Sequence, residues 1–124
     1  MKISQLEQSY INMEKVFNKL VRDKIPEIIK QNKEVPTTRV LNDEEYKEEL
    51  LKKLFEECME VKKAQTIDEI TEELADVYEV LLAIAKLNGK TIRDIETVST
   101  LKREKRGSFD KRIFLEKTSS KSDR

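Results

Sequence analysis

The chain contains no histidine and no tryptophan, a single cysteine, and only two glycines and two prolines. Without histidine, and with Cys58 as the lone thiol, the usual zinc ligand sets cannot be assembled, nor can the Glu-x-x-His motifs of di-iron bundles. A metal site built by this protein must therefore draw on oxygen ligands, which suits a hard ion, Mg²⁺ or alternatively Mn²⁺. One cysteine also excludes an intramolecular disulfide framework and fits a reducing compartment. So few glycines and prolines leave little material for the turns of an all-β fold. No apolar run approaches the roughly 20 residues that span a bilayer, so no membrane partner is expected. An excess of one charge is missing too: 25 Lys and Arg balance 25 Asp and Glu. A globally basic nucleic-acid binder is thereby disfavoured. The opening MKISQLEQSYINMEK is polar and lacks the apolar core of a signal peptide, making the cytoplasm the expected location.

What the chain does have is charge (40%) and aliphatic residues set at helical spacing. Ile3, Leu6, Tyr10, Met13 and Val16 recur in steps of three and four, predicting an amphipathic helix over residues 3–16. Asp23 is the expected N-cap of a short helix with Pro26 in its first turn and Ile25, Ile28 and Ile29 as its apolar stripe. Asn42 followed by Glu45 opens a long helix to Lys63 or Ala64, predicted to bury Leu50, Leu51, Leu54, Cys58 and Val61. Thr66 with Glu69 opens the next, which runs to about Asn88 with Gly89 as the left-handed C′ residue. Its VYEVLLAIA stretch is apolar on most sides and predicts a central, buried helix. Thr91 with Asp94 starts a last helix carrying Ile92, Ile95, Val98 and Leu101. Ile113, Phe114 and Leu115 look like a final anchor before a disordered tail at 117–124. The expected fold is an all-α antiparallel helical bundle.

Several acids stand where leucines are expected. On the first long helix Glu57 lies beside Leu50, Leu54 and Val61, and Glu60 is about 60° away at the border of that stripe. On the next, Glu73 falls among Ile70, Val77, Val80 and Ile84, with Asp76 one turn along. Burying an uncompensated acid is costly, so two antiparallel helices that both do it should turn their acids toward each other and recruit cations. Pairing with lysines such as Lys53 and Lys62 is the plainer alternative. It suits Glu45, Glu48, Glu49, Glu69 and Glu79 better than Glu57, Glu60, Glu73 and Asp76. Cys58, about 100° from Glu57, reads as core packing.

E-E-x-x-E at 56–60 followed by E-x-x-D at 73–76 resembles the signature of the MazG-like, all-α nucleotide pyrophosphohydrolases. NKLVRDKIPEII at 18–29 and KREKRGSFDKRIFL at 102–115 resemble the opening and close of a phosphoribosyl-ATP pyrophosphohydrolase-like branch. The resemblance covers about residues 17–116, leaving 1–16 as an N-terminal extension. It implies that Glu57, Glu60, Glu73 and Asp76 ligate Mg²⁺, and that Glu56 holds a second ion or, with Glu57, takes part in catalysis by orienting the attacking water. The implied reaction cleaves the α–β phosphoanhydride of a nucleoside triphosphate to a monophosphate and pyrophosphate. Such a substrate needs polar and cationic groups beyond the metal, for which Asn18, Lys19, Arg22, Lys24, Lys53, Lys102, Lys105, Arg106 and Arg112 are the candidates around its phosphates. The apolar surplus of the VYEVLLAIA helix, together with the resemblance, implies a homo-oligomer, a dimer or tetramer. The rival expectation is a non-enzymatic helical interaction or nucleotide-binding module whose acids form an ion-pair network.

Overall fold

A computed structural model describes residues 13–121. They form four helices and, among the described residues, no strand: α1 (Ile25–Gln31), α2 (Asp43–Lys63), α3 (Ile67–Leu87) and α4 (Ile92–Arg106). The chain divides into two compact units, one ending at Val80 and the other beginning at Leu81, so the division falls within α3. The expected all-α class is observed.

In the first unit, residues 13–16 form no helix, which overturns the end of the predicted N-terminal helix; the rest of that prediction lies outside the described residues. Helix α1 begins one residue later than expected, with Lys24 rather than Asp23 as N-cap and no side-chain cap bond. The start is set instead by the backbone, where Ile25 N–H donates to the Arg22 carbonyl at 3.0 Å. Its isoleucines do not form a buried stripe: no residue of α1 is buried and Ile28 is exposed.

Helix α2 starts as expected, the Asn42 side chain accepting the Glu45 N–H at 2.8 Å. The Glu45 carboxylate does not close a capping box, because it turns to Arg39, whose two guanidinium nitrogens lie 3.2 and 2.7 Å from it. Leu50 and Glu57 are buried, Leu54 and Val61 half-buried, but Leu51 and Cys58 are exposed. Among the described residues Cys58 is therefore not a packing residue. The link to α3 is short, and the Thr66 hydroxyl accepts the Glu69 N–H at 3.1 Å while Glu69 reaches back to the Gln65 N–H at 2.9 Å. Glu57 and Glu73 stand equally far in sequence from Gln65, so the meeting of their carboxylates, described below, is what an antiparallel hairpin produces. Val80 is the buried residue of α3 in this unit, whereas Ile67, Ile70, Leu74 and Tyr78 remain exposed.

In the second unit, Ala85 is buried and Leu82, Ala83, Ile84 and Leu87 are half-buried, while Leu81 is exposed. The VYEVLLAIA stretch is thus less enclosed than its composition predicts. Helix α3 ends as expected at Gly89, whose φ is 72°. Lys90 N–H donates to the Ala85 carbonyl at 2.8 Å and Gly89 N–H to that of Lys86 at 3.0 Å, the paired bonds of a Schellman ending. Thr91 and Asp94 close a full capping box on α4. Ile95, Val98 and Leu101 stay exposed along α4, and Ile113, Phe114 and Leu115 do not anchor the chain, being 81%, 86% and 73% exposed. None of the described residues beyond α4 is helical. No helix among the described residues is long and apolar enough to cross a membrane.

The α3–α4 junction depends on Gly89 and Thr91. A Cβ at position 89 would meet no atom within 4 Å, so Gly89→Ala isolates the cost of its positive φ. That cost is about 1 kcal/mol. Thr91→Ala removes a cap at a cost of about 1 kcal/mol as well. Urea titrations followed by circular dichroism should record both losses, and an unchanged midpoint for either would contradict the junction described here.

Candidate metal centre

The hairpin of α2 and the first half of α3 turns acids toward one another. Among the described residues, Glu57, Glu73 and Asp76 form the one group in which three such side chains could hold a metal ion, each offering an oxygen within 4.8 Å of the others. Glu57 comes from the middle of α2, and Glu73 and Asp76 from successive turns of α3. Glu57 is only 8% exposed, the deepest charged residue described, while Glu73 and Asp76 are half-buried. Helical geometry explains the convergence: an i,i+3 pair shares one face of α3, and the short link brings α2 back beside it.

Each acid of the trio meets a different electrostatic environment. Glu57 forms an ion pair with the ammonium of Lys53, one turn earlier on α2, at 3.3 Å. Asp76 accepts the Arg22 guanidinium at 2.6 Å. For Glu73, partial burial followed by the charges of Asp76, Glu60, Glu57 and Glu72 pushes the carboxyl above its ordinary value of 4.5. Glu60 thus adds negative charge beside the trio without belonging to it. Glu56 is paired with cations and shares Lys53 with Glu57: Lys19 and Lys53 each lie 3.8 Å from one of its oxygens. The Lys19 ammonium also stands 5.8 Å from the centre of the Phe17 ring.

The donor set suits a hard cation. Oxygens on opposite sides of one Mg²⁺ lie about 4.2 Å apart. At most one pair among three such ligands can be opposite and the other pairs lie about 2.9 Å apart, so the trio, whose oxygens are within 4.8 Å of one another, would draw closer to share such an ion. A divalent cation would also offset the repulsion felt by Glu73 and supply Glu57 with charge that one lysine only partly provides.

Of the candidates for phosphate binding, Lys19, Arg22 and Lys53 are gathered on these acids. Asn18, next to them in sequence, takes a left-handed backbone with φ 45°. Lys24 caps α1. Lys102, Lys105, Arg106 and Arg112 belong to the second unit, Lys105 and Arg106 in the last turn of α4, where cations complement the helix dipole. Arg112 lies beyond it with φ 56°, its N–H bonded to the Phe109 carbonyl at 3.1 Å. Sequence reasoning did not foresee that Arg22 would reach Asp76, 54 residues away. No local spacing rule links them.

Comparison with known proteins adds one relative. Over 49 residues, 40% of this chain and 50% of the other, the chain is 47% identical to an uncharacterized protein of Mycolicibacterium smegmatis. The match thus spans half of that relative's length. No protein-family model matches the chain, and no solved structure does.

The raised Glu73 carboxyl carries a pH signature. Between 4.5 and its higher folded value, the unfolded chain releases this proton while the folded chain keeps it, so Glu73 makes stability fall as pH rises through that window. Glu73→Gln removes this contribution. Without divalent ions, the melting temperature of the variant relative to wild type should rise as pH climbs through the window and then level off; a constant difference would contradict the crowding of Glu73.

Proposed function

We propose that the chain is a divalent-cation-dependent nucleoside triphosphate pyrophosphohydrolase of the MazG-like kind, an all-α enzyme completed by self-association. The observation that carries this reading is the convergence of Glu57, Glu73 and Asp76 on one point between two helices, with Glu57 buried. Its support from sequence is the E-E-x-x-E and E-x-x-D spacing that these residues occupy.

In this reading Glu57, Glu73 and Asp76, with Glu60 beside them, hold Mg²⁺ or Mn²⁺. The ion supplies charge neutralisation for the triphosphate and for the leaving pyrophosphate. Glu56, held on the exposed side of α2 by Lys19 and Lys53, orients a water and accepts its proton. The water oxygen bonds to the α-phosphorus as the bond from that phosphorus to the α–β bridging oxygen breaks. The bridging electron pair leaves with pyrophosphate, and the nucleoside monophosphate remains. Lys19, Arg22 and Lys53 neutralise the phosphates, assisted by Asn18.

Self-association draws support from the apolar side chains left uncovered. Leu51, Phe55 and Met59 recur every fourth residue on α2, and Ile67, Ile70, Leu74 and Tyr78 form a row on α3, all exposed. A row of this kind on each helix of a hairpin suits burial against a second copy.

A second reading, a helical interaction module that needs no metal, has its own observation. Lys53 on Glu57 and Arg22 on Asp76 already pair two of the three acids. It predicts no nucleotide hydrolysis and a melting temperature indifferent to millimolar Mg²⁺, whereas specific binding to the folded state would raise that temperature.

The decisive assay is pyrophosphate release from a panel of nucleoside triphosphates with Mg²⁺, Mn²⁺ or a chelator. Turnover should require the ion. Since even the partners of metal ligands are worth about 10- to 100-fold, Glu57→Gln, Glu60→Gln, Glu73→Gln and Asp76→Asn should each lower it by roughly 100-fold with helicity retained. Turnover that survives all four substitutions, or the chelator, would overturn the proposal.

A further inference from the structure

Arg22 stands at the junction of the acidic trio and the phosphate-binding candidates. Its backbone carbonyl receives the first N–H of α1, which holds the residue at the foot of that helix. From there its guanidinium reaches across to Oδ1 of Asp76 at 2.6 Å. The two side chains are 55% and 40% exposed, so this is a short bond in a wet setting. Both facts matter. Shortness means that the guanidinium stands on an oxygen of a proposed metal ligand. Exposure means that water and other ions can replace it at little cost.

Arginine cannot solve the conflict by losing its proton, since its charge persists at any ordinary pH. When a cation approaches Asp76, the guanidinium must share the carboxylate against like-charge repulsion or leave it. Leaving is eased by an incoming phosphate, whose oxygens match the guanidinium fork better than one carboxylate oxygen does. Lys53 is less free to move in this way, being mostly covered and paired with Glu57 on its own helix.

We infer that Arg22 is an exchangeable counter-ion of the trio, holding Asp76 until a divalent cation takes that carboxylate and then passing to a substrate phosphate. The inference rests on the metal-site reading above and adds a regulation to it. Ion and nucleotide each favour the Arg22 position that the other needs, so each strengthens the binding of the other.

Calorimetry tests this without turnover. Mn²⁺ affinity is measured for wild type, Arg22→Met and Arg22→Lys, each alone and with a nucleoside triphosphate whose α–β bridging oxygen is replaced by a methylene group. Circular dichroism confirms that each variant is folded. Without nucleotide, Arg22→Met should bind Mn²⁺ roughly two- to five-fold more tightly than wild type, the range expected for releasing an exposed ion pair. The increase in Mn²⁺ affinity that the analogue brings should be smaller in Arg22→Met than in wild type, and intermediate in Arg22→Lys, which keeps the charge but lacks the fork. Unchanged or weaker Mn²⁺ binding in Arg22→Met, or an analogue effect equal to that of wild type, would overturn the exchange while leaving the metal site standing. No Mn²⁺ binding by wild type would remove both.

Discussion

The burial of Glu57 is the constraint around which the first unit is organised. An acid that is only 8% exposed, set among Leu50, Leu54 and Val61, destabilises the fold unless positive charge comes to it. Lys53 meets part of that need from one turn earlier on the same helix. The hairpin then worsens the problem, because it lays Glu73 and Asp76 of α3 against the same spot. Arg22 answers at Asp76, but among the described residues Glu73 has no such partner, and burial together with the neighbouring acids pushes its carboxyl upward. A fold that only needed stability would place leucine at these positions. The arrangement is intelligible as a cradle for a cation, the reading proposed above.

The same hairpin explains how charges are sorted around the acids. Glu56 and Glu57 are neighbours in sequence but lie about 100° apart on the helix. Glu57 therefore turns inward to the trio while Glu56 remains outside between Lys19 and Lys53. This separation allows two adjacent acids to carry different tasks in the proposed reaction, one holding an ion and one handling a proton. Apolar residues follow a similar division. Leu50 and Val80 are covered, whereas Phe55, Met59, Leu74 and Tyr78 look outward at the spacing of helical rows.

Where sequence reasoning succeeded, the decisive contacts span a few residues. Asn42 with Glu45, Thr66 with Glu69, Thr91 with Asp94, and the Gly89 ending are all bonds within one turn, so residue identity and spacing suffice to place them. The helical periodicity that set Glu57 within an apolar stripe is equally local. It failed where a choice depended on distant partners. Cys58, Leu51, Ile28 and Ile113–Leu115 lie exposed because no covering element among the described residues reaches them. An apolar stripe says which face avoids water, not whether anything is there to meet it.

By itself, then, the sequence determined the helical class, the main helix starts and the Gly89 ending, and the inward position of Glu57, since each follows from bonds or angles within one helix. Only the tertiary structure decided that Glu57, Glu73 and Asp76 form the trio with Glu60 beside it, that Glu56 faces lysines, and that Arg22 spans 54 residues to Asp76. The reason is physical: helix periodicity fixes the direction in which a side chain points, but which charges meet there depends on how separate segments pack.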